Sequence, residues 1–351
     1  MCSSDLNDEN NASSRKNPVK TLKRAIELAN RTGLIMIMDG VFDENNITIN
    51  YNLIIIGENN SSIVNSTNFN INNVSVTFKN LTFFNLNGST SFIYQNEGQL
   101  IIDNCTFENN FINKLIVASD IEVINSKFKN NTGILINVAK FDITNCIFDE
   151  NNATKMQTHS LIYSNNKGQG SIDNSIFMNN LVKDGCIYIK NNNANLDVYN
   201  SLFLNNSAAY KQPNLNHASC IGFNGGLFNI KSSIFLNNHD IGTSSSIINF
   251  KGNGAIIKNS IFLNNSYAHN KGLIISDISN FIANGNWWGN TLNNYSTCPK
   301  MDNNIVCENW IILNAYSNAT SLNINQLAQV TFDFNNVYDK NTSSIILYNA
   351  S

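Results

Sequence analysis

The chain has 351 residues, a net charge of −3 and only 13% charged residues. This mild acidity disfavours nucleic acid and anionic membranes as partners, because both select basic surfaces. A membrane-spanning helix needs about 20 consecutive apolar residues, and the sequence contains no such run. No signal peptide is visible at the polar start, so we expect the sequence to be truncated at both ends.

The first predicted element is an amphipathic helix over residues 17–33. Asn17 suits the N-cap, and Pro18 suits the first helical position. We predict that residues 1–16 are disordered and that the helix covers the open end of the structure that follows. Apolar residues recur on one face of the helix: Val19, Leu22, Ala25, Ile26 and Ala29.

Between residues 80 and 265 the phrase Asn-Ser-Ile-Phe-x-Asn-Asn returns in eight variants. Alternating apolar and polar residues precede each copy, and a third apolar run follows each variable loop. Three short strands per repeat, without a helical period, predict an all-β fold: a right-handed, three-sided parallel β-helix over residues 34–297. Its core column is predicted to be Phe83, Phe107, Phe128, Phe148, Phe177, Phe203, Phe235, Phe262 and Trp287.

Two positions of the phrase have a clear physical logic. The leading asparagine tolerates left-handed backbone angles at a sharp corner, and stacked amides can bond as a ladder. The next residue is small in every copy from Cys105 onward, as a crowded corner requires. Because Phe177 and Phe203 belong to the core column, we expect them to matter more for stability than Phe69, which lies outside it.

Residues 298–351 are predicted to form a cap loop followed by an incomplete β-module of the β-sandwich type. Cys298 and Cys307 flank a short loop and are candidates for a disulfide. The apolar runs after residue 309 are too few to bury an independent sandwich core.

The cap helix, the run from Ile47 to Glu58, the repeated phrase and the closing Asn286-Trp-Trp-Gly289 resemble one family. They are similar to the adhesin-like, Asn-rich surface proteins of methanogenic archaea, within the pectate-lyase-like β-helix superfamily. The resemblance implies an extracellular or cell-surface location and binding to surface glycans or to other cell-surface proteins. It also implies that the incomplete module in residues 298–351 is immunoglobulin-like. We expect a monomer that has no cofactor and no metal.

The candidate binding residues fall in the variable loops that precede the third strand, hence on one flank. Loops on one side of a solenoid commonly form binding surfaces. We therefore predict that this flank binds a glycan or a partner surface. The candidates are His159, Tyr210, His217, His239 and His269.

The alternative function is a polysaccharide lyase or hydrolase that acts on acidic polysaccharides. A lyase needs a strong base such as Arg or Lys, but all three arginines precede the repeats. A hydrolase needs paired carboxylates, and the best candidates are Glu122 and Asp142, which the register places on neighbouring turns. We therefore expect a non-enzymatic, adhesin-like protein and keep the enzyme as the alternative.

Overall fold

The structure is a computed structural model, which describes residues 7–12, 14–30, 33–58, 62–65, 68–88, 90–155, 160–165, 168–209, 217–241, 245–267, 272–278, 280–294, 296–299, 301–321 and 323–347. The predicted three-sided parallel β-helix is confirmed, with about ten turns. Each turn contributes one strand to each of three sheets. His159, Tyr210 and His269 lie outside the described residues.

The first sheet holds the strands that precede the corner asparagine, and two of its strands continue around the corner from the third sheet. Its members are β1 (Leu34–Ile37), β4 (Leu53–Gly57), β7 (Val76–Lys79), β11 (Gln99–Asp103), the second halves of β13 (Phe111–Ile124) and β15 (Thr132–Thr144), β18 (Gln169–Asp173), β22 (Asn195–Tyr199), β26 (Leu227–Lys231), β30 (Gly254–Lys258), β33 (Phe281–Ile282) and β35 (Ile305–Val306).

The second sheet holds the short strands that carry the core phenylalanines. Its members are β2 (Gly40–Asp43), β5 (Ser62–Asn65), β8 (Thr82–Phe84), β12 (Thr106–Glu108), β14 (Lys127–Lys129), β16 (Ile147–Asp149), β19 (Ile176–Met178), β23 (Leu202–Leu204), β27 (Ile234–Leu236), β31 (Ile261–Leu263), β34 (Asn286–Thr291) and β36 (Asn309–Ser317).

The third sheet follows the variable loops, and short strands lie within those loops. The third sheet comprises β3 (Ile47–Ile49), β6 (Phe69–Ile71), β10 (Ile93–Gln95), the first halves of β13 and β15, β17 (Ser160–Ser164), β21 (Gly185–Ile189), β25 (His217–Asn224), β29 (Ser245–Lys251) and β32 (Ile274–Ser276). The loop strands are β9 (Asn87–Gly88), β20 (Leu181–Val182), β24 (Ser207–Ala208) and β28 (His239–Asp240).

The core column is a continuous stack of parallel rings. From Phe107 to Phe262, neighbouring centroids lie 4.5–4.9 Å apart and neighbouring ring planes differ by 1–4°. The column then continues with Trp288, whose ring stacks on Phe262 at 4.7 Å. The prediction of Trp287 was wrong by one residue, because the corner falls at Gly285 (φ +67°) and Trp287 pairs with the outward Ile261.

The corner asparagines adopt the left-handed backbone that the sequence predicts, for example Asn104 and Asn174 with φ of +51° and +46°. The small residue that follows them also has a hydrogen-bonding role. The Ser201 hydroxyl accepts a bond from the Ser175 N–H (3.2 Å) and donates to the Tyr199 carbonyl (2.6 Å). A neighbouring turn thus satisfies a buried backbone donor at the corner.

A second asparagine ladder runs inside the protein, which sequence reasoning missed. It consists of the seventh and last residue of the repeated phrase. Asn180, for example, donates from Nδ2 to the Phe148 carbonyl (2.9 Å) and to Asn206 Oδ1 (2.9 Å). Its own Oδ1 accepts from the Asn151 N–H (2.9 Å). The ladder members are Asn110, Asn131, Asn151, Asn180, Asn206, Asn238 and Asn265.

The N-terminal cap differs in detail from the prediction. Helix α1 spans Leu22–Ala29, and its N-cap is Thr21 in place of Asn17. The start is fixed by acidic side chains from elsewhere in the chain. Asp8 accepts from the Thr21 N–H (2.8 Å), and Glu44 accepts from the first helical N–H groups. Asp8 therefore contacts the cap from within the segment 1–16, whose disorder stays a prediction.

At the other end the β-helix continues beyond residue 297. Strands β35 and β36 still pair in parallel with β33 and β34. Strand β36 then pairs antiparallel with β37 (Val330–Asp339), and β37 with β38 (Ser344–Leu347). Trp310 and Tyr338 pack over the last turn, with ring centroids 5.0 Å apart. The C-terminal strands therefore extend the second sheet, and Cys298 and Cys307 form a disulfide beside them.

Phe69, which we expected to matter less for stability because it lies outside the column, is as fully buried as the column residues. Its side chain is buried in the third sheet, and its ring makes edge contacts with Phe78 (5.0 Å) and Phe92 (5.8 Å). The repeat phrase begins after this residue, so the sequence pattern did not show that its turn already has a full aromatic core.

Within the described part of the chain, four buried cysteines are free of disulfides. Burial raises the pKa of the Cys105 and Cys146 thiols to about 12, and it also raises the pKa of Cys186 and Cys220. The folded protein therefore keeps protons that the unfolded chain releases above its ordinary thiol pKa of about 8.5.

We expect the free energy of unfolding to fall as the pH rises from about 9 towards 12, by at most ~1.4 kcal/mol per pH unit for each thiol. Urea unfolding at a series of pH values measures this slope. The control is the double variant Cys105→Ser/Cys146→Ser, since serine occupies the same corner position at Ser126 and Ser175. An equal slope in both proteins would contradict the raised pKa of the Cys105 and Cys146 thiols.

Candidate functional site

The predicted carboxylate pair is brought together by the first sheet. Glu122 on β13 lies directly opposite Asp142 on β15, and both side chains face outward. Strand neighbours in register lie about 4.8 Å apart. The same outward column continues through Ser171 to Asp197, which accepts a bond from Asn229 Nδ2 (2.8 Å).

A lysine lies beside this pair but is engaged elsewhere. Lys140 Nζ lies 3.1 Å from Asp120 Oδ2. The hydrogen bond to Asp120 and the charge of Asp120 raise the pKa of Lys140, and the Asp142 and Glu122 carboxylates add to the shift. A lysine with a raised pKa holds its proton at neutral pH and is a poor general base.

The predicted loop flank forms a small parallel sheet of its own, β20, β24 and β28. His239 lies in this sheet opposite Ser207, is half-buried, and has its Nδ1 2.6 Å from the Asn237 carbonyl. The backbone of His217 begins β25 and pairs with Ser245. The described part of the flank therefore brings loop strands together without gathering the histidines into one site.

Beside this flank, the third sheet presents an aromatic pair that sequence reasoning missed. Tyr163 on β17 lies directly opposite Tyr188 on β21, and both half-buried rings face outward. Their centroids are 6.0 Å apart and their planes are tilted by 40°. The outward column has Asn137 on the preceding turn and Asn249 two turns after Tyr188.

A glycine makes room for the second ring. Gly222 follows Tyr188 in the column, and a Cβ at this position would lie 2.8 Å from Tyr188 Cδ2 and 2.4 Å from the Asp184 carbonyl oxygen. Neither distance is tolerable for a carbon atom. The missing side chain therefore lets the Tyr188 ring lie against the neighbouring turn, next to the loop that carries Asp184.

The electrostatics of the pair are set by burial and by one carboxylate. Burial raises the pKa of Tyr188 to about 12 and also raises that of Tyr163, and the negative charge of Asp184 adds to both shifts. Both phenols therefore stay protonated at neutral pH and can donate hydrogen bonds. The sequence signal for this pair is the recurring Ile-Tyr in the third apolar run, which by itself indicates only a strand.

Among the described residues no three His, Cys, Asp or Glu side chains converge in a way that could hold a metal ion. Within the same residues, no helix combines the length and apolar character needed to cross a membrane.

Comparison with known proteins supports the fold. No family model matches the chain, and no curated protein matches it. Among solved structures, the pectate lyase Pel9A is similar with a TM-score of 0.51 and 13% identity, over 87% of this chain and 86% of that chain. A mannuronic acid specific polysaccharide family 6 lyase from the human gut microbiota has a TM-score of 0.48 and 11% identity, over 76% and 72% of the two chains.

At 13% identity, the structural similarity to Pel9A is evidence for the fold alone. The parallel β-helix fold is confirmed, and Pel9A shares it. Membership of the pectate-lyase-like superfamily stays a prediction. The adhesin-like family, the archaeal source and the cell-surface location stay predictions.

Proposed function

We propose that the protein binds a polysaccharide without cleaving it, across the third sheet and beside the loop flank. The observation that supports this proposal is the outward pair of Tyr163 and Tyr188, 6.0 Å apart on successive turns. Aromatic rings that are apolar on the face and polar at the hydroxyl suit ligands with the same mixed character. A sugar ring has an apolar C–H face and a hydroxyl edge.

The surroundings of the pair provide the polar contacts that fix the orientation of a sugar. Asn137 lies on the turn before Tyr163 and offers an amide, while Asp184 offers a carboxylate at the loop end. Binding sites generally combine aromatic surface with a few polar groups. Because the turns of the sheet repeat along one axis, an extended chain molecule is the ligand that can contact several of them together.

The double variant Tyr163→Ala/Tyr188→Ala should lose about tenfold or more in affinity for the polysaccharide that the wild type binds, since each aromatic contact contributes about 1 kcal/mol. Affinity electrophoresis with neutral and acidic polysaccharides identifies the ligand, and titration calorimetry then measures affinity. Tyr→Phe at both positions should keep most of it, because the ring faces remain.

The matched control is Tyr316→Ala, which removes an exposed tyrosine of the C-terminal strands. It should leave affinity unchanged. Gly222→Ala should weaken binding without removing an aromatic ring, because the new Cβ displaces Tyr188. If the double variant still melts cooperatively and binds with wild-type affinity, the binding site does not lie at this pair.

The second candidate is a glycan-cleaving enzyme, and the in-register carboxylates Glu122 and Asp142 favour it. Carboxyl groups about 5 Å apart are the arrangement of retaining glycosidases. If this candidate is correct, a polysaccharide screen will detect reducing ends, and Glu122→Gln or Asp142→Asn will each abolish at least about 99% of the release. Unsaturated products would indicate a lyase. We expect no release of either kind from the wild type.

A further inference from the structure

The outward side of the second sheet carries an unbroken apolar surface. On β19, β23, β27 and β31 both outward positions are Ile, Leu or Met, and only the central Phe of each strand points into the core. We call these eight outward positions the apolar field. Its side chains are half-buried by their neighbours along the sheet, and Ile234 is 37% exposed.

The apolar field is flat, which is unusual for a sheet. Neighbouring strands normally rotate by about 20–25° relative to each other. Here the rings beneath the field stay parallel within 1–4° from one strand to the next. A flat surface is covered best by another flat surface, because a curved partner touches only one or two of its strands.

Exposed amides border the field on both edges. Asn174 and Asn200 lie at the corner before the strands, and Asn179 and Asn205 lie at the corner after them. Within each row the amides donate hydrogen bonds to the preceding turn, for instance from Asn205 Nδ2 to Asn179 Oδ1 at 2.9 Å. An apolar centre with a polar rim is the usual layout of a protein–protein interface.

The field is complementary to itself about a two-fold axis that lies in the plane of contact, parallel to the strands and midway between β23 and β27. This operation places Ile234 opposite Leu202 of a second copy and Leu236 opposite Leu204. None of the eight outward positions carries a charge. On the flanking strand β16, the Asp149 carboxylate accepts a hydrogen bond from Asn179 Nδ2 (3.0 Å), so the pairing buries no unpaired ion. In such an isologous contact the same patch serves both copies.

We propose that the apolar field is the interface of a reversible homodimer in which two copies pack face to face about this axis. Together with the flanking strands β16 and β34, which lie outside the field itself, six strands at about 4.8 Å and a width of roughly 17 Å bury on the order of 500 Å² per copy, near the lower limit for a specific interface. The contact is therefore concentration-dependent. The proposed dimer differs from the monomer expected from the sequence. The proposal does not depend on the proposed glycan site, which lies on another sheet.

Sedimentation velocity across a range of micromolar concentrations tests the dimer. The wild type should shift from monomer to dimer, whereas Leu204→Glu and Ile234→Lys should each weaken association by at least about 100-fold, because they bury a charge without a partner. The matched control is Ile256→Lys, an outward isoleucine on the first sheet that is 43% exposed. A wild type that stays monomeric, or a control that dissociates the dimer equally, overturns the proposal.

Disulfide trapping tests the axis itself. Ile234→Cys mixed with Leu202→Cys should give the mixed dimer under mild oxidation, because the two positions face each other. Ile234→Cys mixed with Ile176→Cys should not, since Ile176 faces Ile261 of the second copy. Equal trapping of both mixtures would overturn the two-fold arrangement.

The background of the trapping variants keeps the native thiols out of the reaction. The free cysteines of the described residues are buried. Cys2 lies outside those residues, so every trapping variant also carries Cys2→Ser. Circular dichroism verifies that each variant is folded.

Discussion

Replacing Asn180 with Ala is expected to destabilise the protein by about 3–5 kcal/mol, because each buried group that loses its partner costs ~1–3 kcal/mol. The substitution leaves the Asn151 N–H without Oδ1 and the Phe148 carbonyl without Nδ2, and both groups are inaccessible to water. The measurement is the free energy of unfolding in urea.

Two further variants make this prediction specific. Asn205→Gly changes an exposed asparagine at the equivalent corner of the next turn to a residue that accepts its left-handed backbone (φ +53°), and it should cost little. Asn180→Asp keeps the acceptor oxygen but loses the amide donors, so it should be destabilised at neutral pH. Because its proton would be held between two acceptors, its stability should recover as the pH falls. Similar losses for Asn205→Gly and Asn180→Ala would contradict the buried ladder.

Replacing Phe177 with Ala should cost about 3–5 kcal/mol through lost burial and an unfilled cavity. Its ring is fully buried between Phe148 at 4.5 Å and Phe203 at 4.9 Å. The cavity cannot close easily, because hydrogen bonds between turns hold the strands on both sides.

The control for Phe177 is its neighbour Met178, which occupies an outward position on the same strand. Met178→Ala should cost no more than about 1 kcal/mol. Thermal melts at low protein concentration compare the two variants without a contribution from association. The core assignment fails if both variants lose the same stability.

Much of the fold was predictable, because period-two strands and a fixed aromatic position leave few alternatives. The errors have local causes. Trp287 was assigned inward because Asn284 was taken as the corner residue of the ninth phrase. In the structure a glycine, Gly285, occupies that corner, so every later position moves by one residue. The helix cap was placed at Asn17, whereas the carboxylates that fix the helix start come from Asp8 and Glu44, whose contacts the local pattern does not contain.

The candidate site was less predictable than the fold. The sequence register correctly placed Glu122 and Asp142 side by side, since both are at the same distance from a corner asparagine. The pairing of Tyr163 with Tyr188 depends on two variable loops of different length that return the chain to the same position. Because these loops differ in length, the sequence spacing does not show that the two tyrosines are neighbours. Only the strand register in the structure shows it.

The internal asparagine ladder has a consequence for how such a chain can change its length. From Asn110 to Asn265, each turn presents the same amide donors and acceptors to the turn above and to the turn below. If residues 146–174 were deleted, so that Asn145 joined Ser175, the shortened chain would keep complete strands, and Phe177 would stack on Phe128. Unequal exchange between repeated gene segments can therefore add or remove whole turns without creating a new packing problem. Natural relatives of different length are the expected outcome. The deletion of residues 146–174 would also remove Tyr163 and with it the aromatic pair, whereas loss of a turn elsewhere would keep the pair and only shift it along the axis.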